Sequence, residues 1–287
     1  MEISQQTDLP EHICKNCGHT FKGIYCNLCG EKVIEPKDRK LNSILTTVLI
    51  STTFVDNKFL KSLRLTLSNP GFLAREYVDG RRVRYMRPLQ MFFILNLVYF
   101  LFPVLQMFNA SLYTQLNVLP HSNLARKMVH HKVVEQGLSM QGFELIYNQE
   151  TTNLAKLLVV IFVVLASVPL SLIFRKKNRF YTDHVALAVE LTSFNMALNA
   201  IGLSLIFLVF SKLFHWGHFT WGTYLNDITL TLIFIATNVY FIFRAAKTFY
   251  NQKGKRLVIK AMLGVVGLFL ALEAYRFVLF IVTMLSI

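Results

Sequence analysis

From residue 88 onward the chain alternates long apolar runs with short polar connectors. Runs near 89–108, 154–174, 185–210, 225–243 and 257–287 approach or exceed the roughly 20 residues that a helix needs to cross a bilayer. The last run is long enough to tilt or to end in an interfacial piece. Pro103 and Pro169 fall inside two of the runs, where neighbouring helices can satisfy the carbonyls that proline frees. The pattern predicts an all-α polytopic membrane protein with about five transmembrane helices.

Upstream the pattern changes twice. Residues 1–35 are polar, and Pro36 with Lys37, Asp38, Arg39 and Lys40 reads as a linker. Leu41, Ile44, Leu45, Val48 and Leu49 then recur at helical spacing, as do Phe59, Leu60, Leu63 and Leu67 among Lys58, Lys61 and Arg64. A basic amphipathic helix of this kind lies in the membrane interface or packs on the protein's own cytosolic face. Pro70 suits the first turn of a short helix, and Gly80 stops it before Arg81, Arg82, Arg84 and Arg87. The expected domains are therefore residues 1–35, an interfacial segment 36–87 and a transmembrane part 88–287. The connector 109–152 is too long for a turn. Its Leu124, Met128, Val129, Val133 and Val134 suggest a helix lying on the outer surface.

Composition agrees with a membrane location. Of 287 residues, 54% are hydrophobic and 16% charged, which excludes the soluble enzyme folds. The 30 Lys+Arg against 16 Asp+Glu give a net charge of +14. Arg81 to Arg87, then Arg175, Lys176, Lys177 and Arg179, then Arg244, Lys247, Lys253, Lys255 and Arg256 all fall on one side of the predicted spans. The other side carries Lys212 and a loop in which Arg126, Lys127 and Lys132 are matched by Glu135, Glu144 and Glu150. That bias predicts a cytoplasmic N-terminus and an external C-terminus. The polar start has no charged region followed by an apolar one, so no cleavable signal peptide is expected.

All four Cys lie in Cys14-Lys-Asn-Cys17-Gly18 and Cys26-Asn-Leu-Cys29-Gly30, with eight residues between Cys17 and Cys26. Each half reads as a knuckle: two thiolates one turn apart grip a metal, and the Gly permits the tight turn whose N–H groups donate to sulfur. In the reducing cytosol metal binding is favoured over disulfides. Four thiolates make the closed tetrahedral set of structural zinc, with one Zn2+ per chain and no open position for catalysis. Binding energy of about 10–16 kcal/mol is typical of such sites, so the ribbon depends on the ion. Phe21 and Tyr25 would cover one face of the hairpin. Redox and iron–sulfur chemistry are the alternatives that the spacing leaves. Lys15, Lys22 and Lys32 are a thin basic footprint, so no nucleic-acid partner is expected.

Ionisable groups within hydrocarbon are costly and face the bundle interior. The third span opens with Arg179, Tyr181, Asp183 and His184 and continues through Glu190, Asn195 and Asn199. Asp183 and Glu190 are seven apart and share a face. Together these residues read as a polar path for a proton, an ion or a head group, or as a capping Asp183 with an internally bonded Glu190. Glu273 and Arg276, three apart in the last span, either pair with each other or reach across to the third. Asn96, Asp227 and Asn238 are further polar points. Outside, His130-His131 and His215-Trp-Gly-His218 could hold a metal or be solvated. No catalytic triad, phosphate-cradling Gly loop or HExxH is legible.

The paired CxxCG knuckles are followed by Asn69-Pro70-Gly71-Phe72, Arg75-Glu76-Tyr77, Gly80-Arg81-Arg82-Val83-Arg84-Tyr85 and Pro88. Arg179-Phe-Tyr181-Thr-Asp183-His184 then runs on to Ser193-Phe194. In this order the motifs resemble a family of uncharacterised bacterial inner-membrane proteins, domain of unknown function 3667. The resemblance covers nearly the whole chain. It implies a zinc ribbon, a multi-span C-terminal part and a bacterial cytoplasmic membrane, with Asp183–His184 and Arg81–Pro88 as candidate sites. Family members often carry Glu where this chain has Asp183, which keeps the carboxylate. The resemblance implies no activity.

Three functions fit these residues. The first is a non-enzymatic scaffold or assembly factor, with a cytosolic protein partner on the ribbon. The second is a small homo-oligomeric transporter, channel or lipid-handling protein that uses the polar third span. The third is a membrane enzyme whose Arg81, Arg82, Arg84, Arg87 and Arg179 hold an anionic lipid head group near Asp183 and His184.

Overall fold

The computed structural model describes residues 11–33, 57–101, 108–175, 179–213 and 227–287. The linker Pro36–Lys40, the stretch Leu41–Leu49, Pro103, His215 and His218 lie outside the described residues.

The N-terminal unit is a hairpin in which β1 (Glu11–Ile13) pairs antiparallel with β2 (Thr20–Lys22), His12 opposite Phe21. Its core is Cys14, Phe21 and Cys26, with Cys29 and Val33 packed against them. Three residues per strand cannot hold a sheet together alone, so the fold of this unit rests on what joins its cysteines.

Ten helices follow among the described residues. Three lie before the first long connector: α1 (Asn57–Ser68), α2 (Phe72–Asp79) and α3 (Pro88–Leu101). Helix α1 keeps Lys58, Lys61 and Arg64 in solvent and turns Ser62 and Thr66 inward. The Ser62 hydroxyl accepts the Met86 N–H at 2.9 Å, and Phe59, Leu63 and Leu67 pack on the main core. It thus packs on the protein's own face, one of the two arrangements that its pattern allows.

The connector 109–152 is helical. Within it α4 (Leu112–Asn117) is capped by the Ser111 side chain, and α5 (Ser122–Gln136) ends at Gly137 with φ 63°. Both pack on α6 (Met140–Ile173), whose 34 residues span about 50 Å at 1.5 Å per residue, well beyond a hydrocarbon core of about 30 Å. The excess forms a cap at one end of the bundle, in which Leu112, Ala125, Val129, Phe143 and Tyr147 meet Phe280 and Met284.

The rest is α7 (Tyr181–Asn195), a π-helical segment (Met196–Gly202), α8 (Leu203–Leu213), α9 (Asp227–Thr248) and α10 (Gly254–Ser286). Among the described residues, four helices are long and apolar enough to cross a membrane: Met140–Ile173, Tyr181–Ile206, Thr229–Thr248 and Gly254–Ser286. The first expected span, near 89–108, corresponds to the shorter apolar helix Pro88–Leu101, 14 residues long. Helices α6 and α10 lie antiparallel, with Tyr275 donating to the Ala155 carbonyl at 3.3 Å and Gly267 against the Pro169 ring. The span Tyr181–Ile206 is the most buried, which makes it the centre of the bundle.

Candidate functional site

The four cysteines occupy two equivalent turns. Cys14 N–H donates to the His19 carbonyl and Gly18 N–H to the Cys14 carbonyl, both at 2.8 Å. Cys26 N–H donates to the Glu31 carbonyl and Gly30 N–H to the Cys26 carbonyl, again at 2.8 Å. Gly18 and Gly30 carry φ of 77° and 73°, where a side chain would be strained. The four sulfurs lie within 4.8 Å of one another, Cys14–Cys29 at 3.5 Å and Cys17–Cys26 at 3.6 Å. Those separations are far beyond a disulfide bond of about 2.05 Å. They approach the edge of about 3.8 Å that a tetrahedron with 2.3 Å metal–sulfur bonds would have. Four convergent thiols on a core this small fit a metal ion.

A second constellation surrounds the short helix α2. Pro70 and Gly71 turn the chain into it, Gly71 with φ 82°, and Gly80 ends it with φ 96°. The N-terminus of α2 points at Glu190 of α7. Gly71 N–H donates to Glu190 Oε1 at 3.0 Å, and Ala74 N–H to Oε2 at 2.7 Å. Glu190 is wholly buried and supplies acceptors that the first turn of a helix lacks. The turn is also pressed against α9: a Cβ on Gly71 would lie 2.9 Å from the Ala245 Cα. Thr248 donates to Asn69 Oδ1 at 3.1 Å, and the Arg75 guanidinium to the Thr248 carbonyl at 3.0 Å.

At the other end of α2, Arg81 folds back in a two-pronged ion pair with Glu76 and reaches Asp79 at 3.2 Å. Asp79 also receives Arg75 at 3.5 Å and Arg179 at 3.8 Å. Arg179 lies over the Phe249 ring at 4.6 Å, and Arg82 over Tyr77 at 4.2 Å. Of the five arginines that could meet an anionic head group, Arg81, Arg82 and Arg179 are thus held within the chain. Arg84 is exposed and Arg87 half-buried.

Besides Glu190, the polar residues of the central span fall into three groups. Asp183 accepts the Phe180 N–H at 3.1 Å, capping its own helix. His184 Nδ1 lies 2.7 Å from the Tyr250 hydroxyl, and Tyr250 stacks on Phe174 with centroids 4.1 Å apart. Asn195 and Asn238 exchange amide hydrogen bonds of 3.0 and 2.9 Å between α7 and α9. Asn199 donates to Asn195 at 2.7 Å and to Thr237 at 2.9 Å. Glu273 and Arg276 pair at 3.3 Å, and Arg276 also reaches Thr231 of α9 at 3.4 Å.

Two residues escaped the sequence reading. Tyr250 is joined to His184 by a contact between residues 66 apart. Glu31, one position after the second knuckle, is 5% exposed, and its Oε2 accepts the N–H groups of Arg82 and Val83 at 2.9 and 3.0 Å. Its burial directly after Gly30 leaves no periodic signal, although it is an acid in a segment otherwise rich in lysine.

Residues 56–100 match the model of a family described as a protein of unknown function, DUF3667. The matched stretch holds α1, α2 and nearly all of α3, and so the whole segment that Glu190 and Glu31 grip. No curated protein and no solved structure matches the chain.

Proposed function

We propose that this chain is a non-enzymatic scaffold or regulatory factor of a bacterial cytoplasmic membrane. Its ribbon, folded around one zinc ion, faces the cytosol and receives a protein partner, while its outer cap meets the opposite side. One contrast carries this reading. Asp183, His184, Glu190 and Asn195 are all engaged in fastening elements of the same chain, whereas the small ribbon leaves Ile13, Ile24, Tyr25 and Leu28 between 53% and 73% exposed. Large apolar side chains exposed on so small a unit favour a protein contact. Arg84 and Arg87 are left to meet anionic lipid head groups.

The test is a photo-crosslinking residue at Leu28 in the full-length protein in its own membrane. The reading expects a discrete protein adduct that disappears after metal chelation. Adducts with lipid alone, or no adduct, would overturn it.

A second reading, a small homo-oligomeric transporter or lipid-handling protein, has one observation in its favour. The π-helical segment Met196–Gly202 lies in the most buried span, and among the described residues the buried Asn199 Oδ1 has no hydrogen-bond partner. π-Helical turns recur at functional sites, and an unmet acceptor in a bundle can receive a ligand.

A further inference from the structure

Glu31 belongs to the metal loop through its backbone and to the connection between α2 and α3 through its side chain. Its carbonyl closes the second knuckle by accepting the Cys26 N–H at 2.8 Å. Its carboxylate leaves the ribbon, and one oxygen takes the consecutive N–H groups of Arg82 and Val83 at 2.9 and 3.0 Å. The first knuckle supplies an internal comparison. His19 occupies the equivalent position, its carbonyl accepts the Cys14 N–H at 2.8 Å, and its side chain is exposed. Closing a knuckle therefore does not require a carboxylate there. The acid at position 31 serves something outside the ribbon.

The contact is also placed to matter. A cavity of about 130 Å³ lies beside it, between His12, Cys14, Phe21 and Glu31 on the ribbon and Gly80 on the other side. Arg82 directly follows Arg81, which pins Glu76 and Asp79 of α2. The far end of α2 rests on Glu190. A continuous path thus runs from the Cys26–Cys29 turn through Glu31, Arg82 and α2 to the central span.

We infer that Glu31 is the link by which metal occupancy of the ribbon is passed to the segment 80–83. With metal bound, the second knuckle is rigid and presents Glu31 to Arg82 and Val83. When the metal leaves, the knuckle loosens and the carboxylate withdraws, exposing both amides and releasing the ribbon from α2. The inference rests on the metal-binding reading of the four cysteines and adds a receiver for the metal state within the same chain.

The experiment is hydrogen–deuterium exchange on the full-length protein in nanodiscs, read at Arg82 and Val83, with 238–246 of α9 as an internal reference and metal content measured in parallel. Losing a carboxylate acceptor exposes both amides, so chelation should speed their exchange at least about tenfold while the reference is unchanged. Glu31→Ala should give the same rise and still hold one metal per chain. Unchanged exchange after the metal has gone would overturn the link, as would a Glu31→Ala variant as protected as wild type. Loss of metal from Glu31→Ala would assign Glu31 to the ribbon's own fold and also overturn it. A wild-type chain that holds no metal yet protects Arg82 and Val83 sinks the metal reading together with the link. A metal-loaded chain with unprotected amides sinks the link alone.

Discussion

Ala74 donates its backbone N–H to Glu190 Oε2 at 2.7 Å across 116 positions of sequence. With the Gly71 contact, this fastens an eight-residue helix, too short to persist alone, to the centre of the bundle. Replacing Glu190 by Gln swaps one acceptor for a donor that faces an N–H group. One buried backbone donor is then orphaned, at a cost of about 1–3 kcal/mol. Glu190→Ala orphans both donors and should cost more. Chemical unfolding in detergent, followed by helical signal, should rank wild type above Gln and Gln above Ala. Equal midpoints for the three would show that the contact does not hold α2.

Gly71 tests the same junction from its other side. Alanine there must adopt φ near 82° and place a Cβ 2.9 Å from the Ala245 Cα. Gly137 has φ 63° with nothing within 4 Å of an added Cβ. Gly137→Ala should therefore cost about 1–2 kcal/mol from backbone strain alone. Gly71→Ala should add about 1–3 kcal/mol of overpacking. The difference between the two unfolding midpoints is the readout, and similar midpoints would mean that α9 gives way.

Metal removal should act locally. The core of the N-terminal hairpin unit, Cys14, Phe21 and Cys26, is separate from the main cluster. Chelation, or Cys14→Ser, should expose 11–33 to limited proteolysis while the helices of the bundle stay resistant. Loss of helical signal in parallel with the metal would contradict this separation.

The cap around α4 and α5 should weaken in acid. His121 lies 2.6 Å from Gln115 Oε1, with its ring 5.1 Å from that of Phe277. Burial holds its pKa below the ordinary value of 6.5. The unfolded cap then binds the proton more readily than the folded one, so this contribution is fully present above about pH 6.5 and is lost as pH falls through and below that value. The protection factors of the amides of α4 and α5, taken relative to intrinsic exchange at each pH, should fall between pH 7.5 and 5.5, and His121→Gln should flatten the fall. A pH-independent cap would contradict the assignment.

Local chemistry made much of this legible. The paired CxxCG spacing points to a cluster of convergent thiols, because two residues between cysteines fix a turn whatever surrounds it. Asp183 as a cap was one of two readings, and its bond to Phe180 spans only three positions. The amphipathic pattern of α1 showed a buried face but not whether lipid or protein covers it. What stayed hidden is long-range. Nothing in the sequence near Glu190 names Gly71 or Ala74, and nothing near Glu31 names Arg82. Both acids look alike to a reading of periodicity, since a carboxylate that caps a distant helix has the same spacing as one that lines a path.

The account stands or falls on whether the polar residues of the central span fasten the bundle or hold a ligand. Native mass spectrometry of the full-length chain in nanodiscs, wild type beside Asn199→Ala, addresses this most directly. The account predicts one zinc per chain in both and no small molecule that distinguishes them. A lipid or other small molecule retained by the wild type and lost from Asn199→Ala, with zinc and helical content intact, would contradict it.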